Sequence, residues 1–151
     1  MTLARDLFYS HVLAMAFTAR TGVFTMSMFM NHLNLALGWA LMLLGLISGG
    51  LLGLFFHRED FLGSYAAWPR RLLRLGHIAF MALGMLNVIY ALCPHATGMT
   101  GVLAAVALAV GSITMPLVCL LAAWRSGLKC LFVLPVVMLA VAMSLAFWSA
   151  L

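Results

Sequence analysis

The sequence predicts an all-α integral membrane protein: a four-helix transmembrane bundle preceded by an N-terminal helix that is interfacial or forms a fifth span. Three observations predict it. The chain of 151 residues is 66% hydrophobic and only 7% charged, with a mean hydropathy of +1.17. A soluble domain carries roughly 25% charged residues, so this composition cannot cover a globular surface with polar groups. Its apolar residues also fall into uninterrupted runs of membrane-crossing length, and its cations fall between those runs on alternate sides.

Residues 1–30 form the first unit. Leu7 to Met30 is apolar apart from His11, Arg20 and scattered hydroxyls. An interfacial helix from about Arg5 to Ala19, ending at Arg20-Thr21-Gly22, is the preferred reading. The alternative is an additional span that turns at Asn31-His32-Leu33-Asn34 and leaves Arg20 near mid-membrane, at roughly 2.5–3.5 kcal/mol. A signal peptide fits poorly, because Phe17 stands where a small residue should precede cleavage after Ala19.

Residues 31–151 form the four-helix domain. The spans are Leu35–Phe56, Leu75–Cys93, Met99–Trp124 and Cys130–Leu151. About 20 residues at 1.5 Å each cross the hydrocarbon core, which admits the shorter second run as well. Pro94 ends the second helix and Gly98 precedes the third, while Arg125-Ser126-Gly127-Leu128-Lys129 turns the third into the fourth.

Arg58, Arg70, Arg71 and Arg74 lie in the first connection, and Arg125 and Lys129 lie in the third. The second connection and the C-terminus hold no Lys or Arg. By the positive-inside rule, loops 57–74 and 125–129 face the cytoplasm, as expected for a bacterial inner (plasma) membrane. Glu59 and Asp60 share the first loop and are expected to form solvated ion pairs with its arginines.

Gly45, Gly49 and Gly53 repeat at four-residue spacing on the first main span, with Gly38 two turns earlier. Small residues in this pattern let another helix backbone approach closely in lipid, and Gly76 and Gly84 are its natural partners. Pro116 and Pro135 lie in the last two spans at similar depth, where paired kinks would open a cavity or merely accommodate packing. Asn34 and Asn87 read as interhelical hydrogen-bond formers, or more sharply as contacts for a quinone carbonyl. Trp39, Trp68, Tyr65, Tyr90, Trp124 and Trp148 read as interfacial anchors.

Several functional classes drop out. The net charge of +5 is explained by membrane orientation and not by a nucleic-acid surface. Hydrolase, transferase and phosphate-loop motifs are absent. The spans also lack the acids that carry protons or cations in transporters. Cys93, Cys119 and Cys130 have no metal or disulfide spacing and read as buried thiols.

Two expectations about function remain. His57 ends one span and His77 begins the next, so the pair is the candidate axial ligand set for haem b, with Arg71 and Arg74 placed to receive propionates. On this reading the chain is a haem- or quinone-associated subunit of a redox complex. The plain alternative is that both histidines are interfacial side chains. The chain is then a non-catalytic scaffold in the lipid bilayer, holding other membrane subunits or a second copy through its glycine faces. Met26, Met28, Met30 and His32 could suit cuprous copper, but alternate residues on a helix diverge by about 200°.

Overall fold

The computed structural model describes residues 2–58, 61–64, 66–93 and 98–150, with the backbone alone for 2–16, 126 and 150. Its elements are α1 (Thr2–Phe56), α2 (Trp68–Leu92), α3 (Met99–Trp124), a 3-10 segment (Ser126–Phe132) and α4 (Val133–Ala150). No strand occurs among the described residues. Four helical stretches are long and apolar enough to cross a membrane: Phe17–Phe56, Trp68–Leu92, Met99–Trp124 and Gly127–Ser149.

α1 departs from the sequence expectation. It runs through Arg20-Thr21-Gly22 and through Asn31–Asn34 as one helix of 55 residues, with neither the expected break nor the expected turn. Local hydrogen bonds accommodate the hydroxyl-bearing stretch, since Thr21 donates to the Thr18 carbonyl at 2.9 Å and Thr25 to that of Thr21 at 2.7 Å. Gly22 lowers helix propensity by about 1 kcal/mol, too little to stop a helix with long apolar runs on both sides. Arg20 lies beside Gly98, at the end of the bundle that carries the α2–α3 connection.

α2 antiparallels α1, as the contact order shows. Gly38 meets Gly84, Gly45 meets Met81, Gly49 meets His77 and Phe56 meets Arg70. A Cβ at Gly38 would stand 2.7 Å from the Gly84 carbonyl oxygen, and one at Gly84 would stand 2.8 Å from that of Gly38. The two backbones therefore touch at reciprocal glycines. Gly53 faces open space, and Gly76 faces Cys119 of α3, not α1.

α3 is the centre of the fold because its packing faces are made of small side chains. Gly101, Ala104, Ala105, Ala107, Gly111 and Ser112 are all buried, at the spacings that group residues on neighbouring turns. Backbones can then approach from both sides. Gly111 receives Leu139 of α4, and Gly76 of α2 sits over Cys119. α4 packs on α3 and the 3-10 segment, with no close backbone approach to α1 or α2 among the described residues. The last helix begins at Val133, three residues later than Cys130. Pro135 thus falls in its first turn, where the missing N–H leaves nothing unsatisfied and no kink need follow.

Buried polar groups join the helices. Asn34 of α1 donates to the Ala105 carbonyl of α3 at 3.3 Å. Asn87 of α2 donates to Ser112 Oγ at 2.6 Å and to the Leu83 carbonyl at 2.7 Å. Tyr90 donates its hydroxyl proton to the Gly101 carbonyl at 3.0 Å. Asn87→Leu is expected to lower resistance to SDS-induced unfolding by about 1 kcal/mol, the scale of such bonds between membrane helices. An unchanged unfolding curve would mean that the α2–α3 contact does not need this bond.

Candidate functional site

The chemistry-bearing residues gather where α1 ends and α2 begins. The connection between them, residues 57–67 (L1), reverses through Leu62 at φ 59 and Gly63 at φ 89. Phe61 folds back so that its ring stacks on Phe55 at 5.3 Å between centroids. α2 then starts at Trp68-Pro69, seven residues before the expected Leu75, because proline suits the first turn of a helix and the arginines that follow do not interrupt it; Arg70, Arg71 and Arg74 thus lie on α2 and not in the loop.

Arg70, Arg74 and His77 lie one, two and nearly three turns into α2 on the face toward α1. Arg70 is buried, with 3% of its surface exposed. Its guanidinium donates to the carbonyls of Arg58 and Phe56, the latter at 3.4 Å, and its Cζ stands 5.2 Å from the Phe56 ring centroid. The last carbonyls of a helix have no intrahelical donor and carry the negative end of its dipole. Arg70 therefore caps α1 from the neighbouring helix. Arg74 stacks on the same ring, at 5.1 Å. The α1 terminus is thus clamped by two cations, one donating to the Phe56 carbonyl and to that of Arg58 just beyond it, and both covering its last aromatic side chain.

His77 lies flat against the α1 backbone. A Cβ at Gly49 would come within 2.5 Å of His77 Cε1 and 3.0 Å of Nε2, so only glycine leaves room for the ring. Ser48 donates to the Gly45 carbonyl at 3.0 Å, and its Oγ lies 3.3 Å from His77 Nδ1. In the tautomer that matches a hydroxyl proton committed to Gly45, His77 Nδ1–H is the donor in the second contact; the other tautomer reverses the roles. In the first, Nε2 keeps the lone pair, able to accept one hydrogen bond or one metal bond.

The two candidate haem histidines do not face each other. His77 is half-buried on Gly49, whereas His57 is exposed eight residues further along the chain, about 12 Å beyond it by helical rise. Axial imidazoles on one iron need ring nitrogens roughly 4 Å apart, given metal–nitrogen bonds of about 2 Å. The described residues therefore do not fit a bis-histidine haem at this pair. Arg71 is exposed, and Arg74 covers Phe56. Among the described residues, no group of three or more His, Cys, Asp or Glu could hold a metal ion.

The other candidates disperse. Met26 and Met28 are exposed on a continuous helix and diverge around it with His32. Cys119 is buried, while Cys93 and Cys130 are exposed. The side chain of His11, the residues Glu59, Asp60, Tyr65 and His95, and the turn at Pro94–Thr97 lie outside the described residues.

Two features escaped sequence reasoning. Arg70 was hidden in a run of arginines, although the 70, 74, 77 spacing places it on one helix face with Arg74 and His77. The small-residue face of α3 was hidden because Ala, unlike Gly, does not stand out in an apolar run. Comparison with known protein families, with curated proteins and with solved structures gives no match to this chain.

Proposed function

We propose that the chain is an integral membrane scaffold subunit without catalytic chemistry of its own, and that the N-terminal half of α1 docks a partner membrane protein. The observation behind this reading is the length of α1. The helical stretch Phe17–Phe56, a candidate span, has 40 residues, about 60 Å as a helix, and its first part also carries Arg20, four hydroxyl side chains, Asn31 and His32. The hydrocarbon core is about 30 Å thick, and even a tilt of about 40°, the upper end of the usual range, uses only about 39 Å. About 20 Å of helix is left over at the end where Arg20, Val23 and Phe24 lie beside Gly98, and it mixes large apolar side chains with Arg20 and several hydroxyls. Phe17, Phe24, Met26, Met28 and Phe29 are each roughly half exposed or more. Apolar surface of that extent is stable only when covered, and a partner helix or groove covers it beyond the lipid.

The polar groups of the bundle agree with a scaffold role. Asn34, Asn87, Ser112 and Tyr90 join helices, and Arg70 caps one. In this reading L1 and residues 125–129 face the cytoplasm, and the surplus of α1 stands on the opposite side. The competing reading, a haem- or quinone-associated redox subunit, would draw on His77 as a ligand or on Asn34 and Asn87 as polar contacts.

A photo-crosslinking residue at Phe24, in native membranes, is expected to capture one polypeptide in fixed proportion, while the same residue at Leu51 captures lipid. Lipid alone at both positions would end the scaffold reading. The visible spectrum of the purified protein is expected to show no b-type band. A reduced-minus-oxidised b-type signal that His77→Leu abolishes would establish the redox reading instead.

A further inference from the structure

We propose that the pocket at the L1 end of the bundle binds one acyl chain of an anionic phospholipid, whose phosphate is held by the surrounding cations. The inference goes beyond the scaffold reading and rests only on its membrane-spanning half.

The pocket lies between the first turns of α2, the end of α3 and the loop. It is lined by Phe61, Leu62, Pro69, Leu73, Ala123 and Trp124, and its volume is about 380 Å³. That size lies in the range of ligand pockets, roughly 300–1,000 Å³. Among the described residues the lining is apolar apart from the indole N–H of Trp124, so it offers at most one hydrogen-bond donor to orient a sugar, a nucleotide or a quinone ring. An alkyl chain needs no such partner.

The rim is cationic. Arg125 follows Trp124 in the chain and is exposed. Lys129 stands 4.6 Å from the ring centroid of Trp68, the residue before Pro69. Trp68 and Trp124 are both substantially exposed, as aromatic side chains at a headgroup boundary are. An apolar slot opening at that level, with Arg125 and Lys129 beside it, complements an amphiphile with a hydrocarbon tail and a negative head.

The loop supplies a second observation. Leu62 is the single non-glycine residue with positive φ among the described residues, and its side chain is one wall of the pocket. A left-handed backbone costs a branched residue about 1–2 kcal/mol, and such strain concentrates at ligand-holding segments.

The test uses the full chain. Recovery in the membrane fraction and a need for detergent to extract it check the spanning reading separately. The purified protein is then reconstituted in nanodiscs of phosphatidylcholine mixed with phosphatidylglycerol, released into neutral detergent, and its retained lipid counted by native mass spectrometry. Retention of one phosphatidylglycerol in preference to phosphatidylcholine is expected. Arg125→Gln with Lys129→Gln is expected to reduce that preference at least about five-fold, since one surface cation contributes roughly that factor. Ala123→Leu, or Leu73→Phe should the first fail to fold, fills the pocket and is expected to abolish retention. Inorganic phosphate alone is expected to leave the melting temperature unchanged. Equal retention of the two lipids, retention unaffected by a folded pocket-filling variant, or stabilisation by phosphate alone would each overturn the proposal.

Discussion

Gly84→Leu is expected to separate α1 from α2, with a loss of about 3 kcal/mol or more in detergent unfolding, at the upper end of overpacking costs. The size follows from what the new side chain would meet. A Cβ at Gly84 stands 2.8 Å from the Gly38 carbonyl oxygen and 2.9 Å from the Met42 nitrogen. These are backbone atoms of a helix and cannot turn aside as a flexible side chain can. The Gly45 position differs in kind, because there the nearest atom is Met81 Sδ, at 2.5 Å, and a thioether can move. Gly45→Ala is therefore milder than Gly84→Ala. Gly53→Leu is the matched control, since nothing lies within 4 Å of its Cβ position, and it is expected to change stability by no more than about 0.5 kcal/mol. Equal melting of Gly84→Leu and Gly53→Leu would remove the reciprocal glycines from the account of this interface.

Arg70→Leu is expected to release the end of α1. Hydrogen bonds from a charged donor contribute about 1.5–3 kcal/mol, and stacking on an aromatic face adds about 0.5–1. A loss of about 3 kcal/mol is therefore expected, with faster proteolysis in L1. Leucine keeps the apolar volume but leaves the Phe56 and Arg58 carbonyls without their guanidinium donor. Arg70→Lys keeps the charge but lacks the planar fork that reaches two carbonyls while covering the Phe56 ring, so it should recover only part of the loss. Arg58→Ala is the control, because Arg58 contributes its carbonyl, not its exposed side chain. Indistinguishable proteolysis of Arg70→Leu and Arg58→Ala would show that L1 is held by other contacts.

Both predictions concern residues whose importance was only partly legible in the amino-acid order. Helix class and membrane-crossing length could be read directly, because burial in hydrocarbon demands long apolar runs whatever the helices do to one another. The expected starts of α3 and α4 lay within a few residues of the observed ones, because Gly98 and the Arg125–Lys129 turn interrupt the pattern chemically. The N-terminal segment was misread for a physical reason. Arg20 and Gly22 suggested an interruption, but neither prevents i→i−4 hydrogen bonding, and a single helix results.

The histidines illustrate the harder limit. Sequence position placed His57 and His77 near the same end of adjacent helices, yet depth does not determine register. In the register adopted, Gly38 meets Gly84 backbone to backbone and His77 lies on Gly49, away from the exposed His57. In the same way Arg70 could be counted among the loop cations but not recognised as a cap, since a cap exists only when a neighbouring helix ends beside it. Composition and spacing determine which segments are helical and apolar, because those properties belong to single segments. Which side chains meet depends on how two surfaces interlock, and only the tertiary structure decides that.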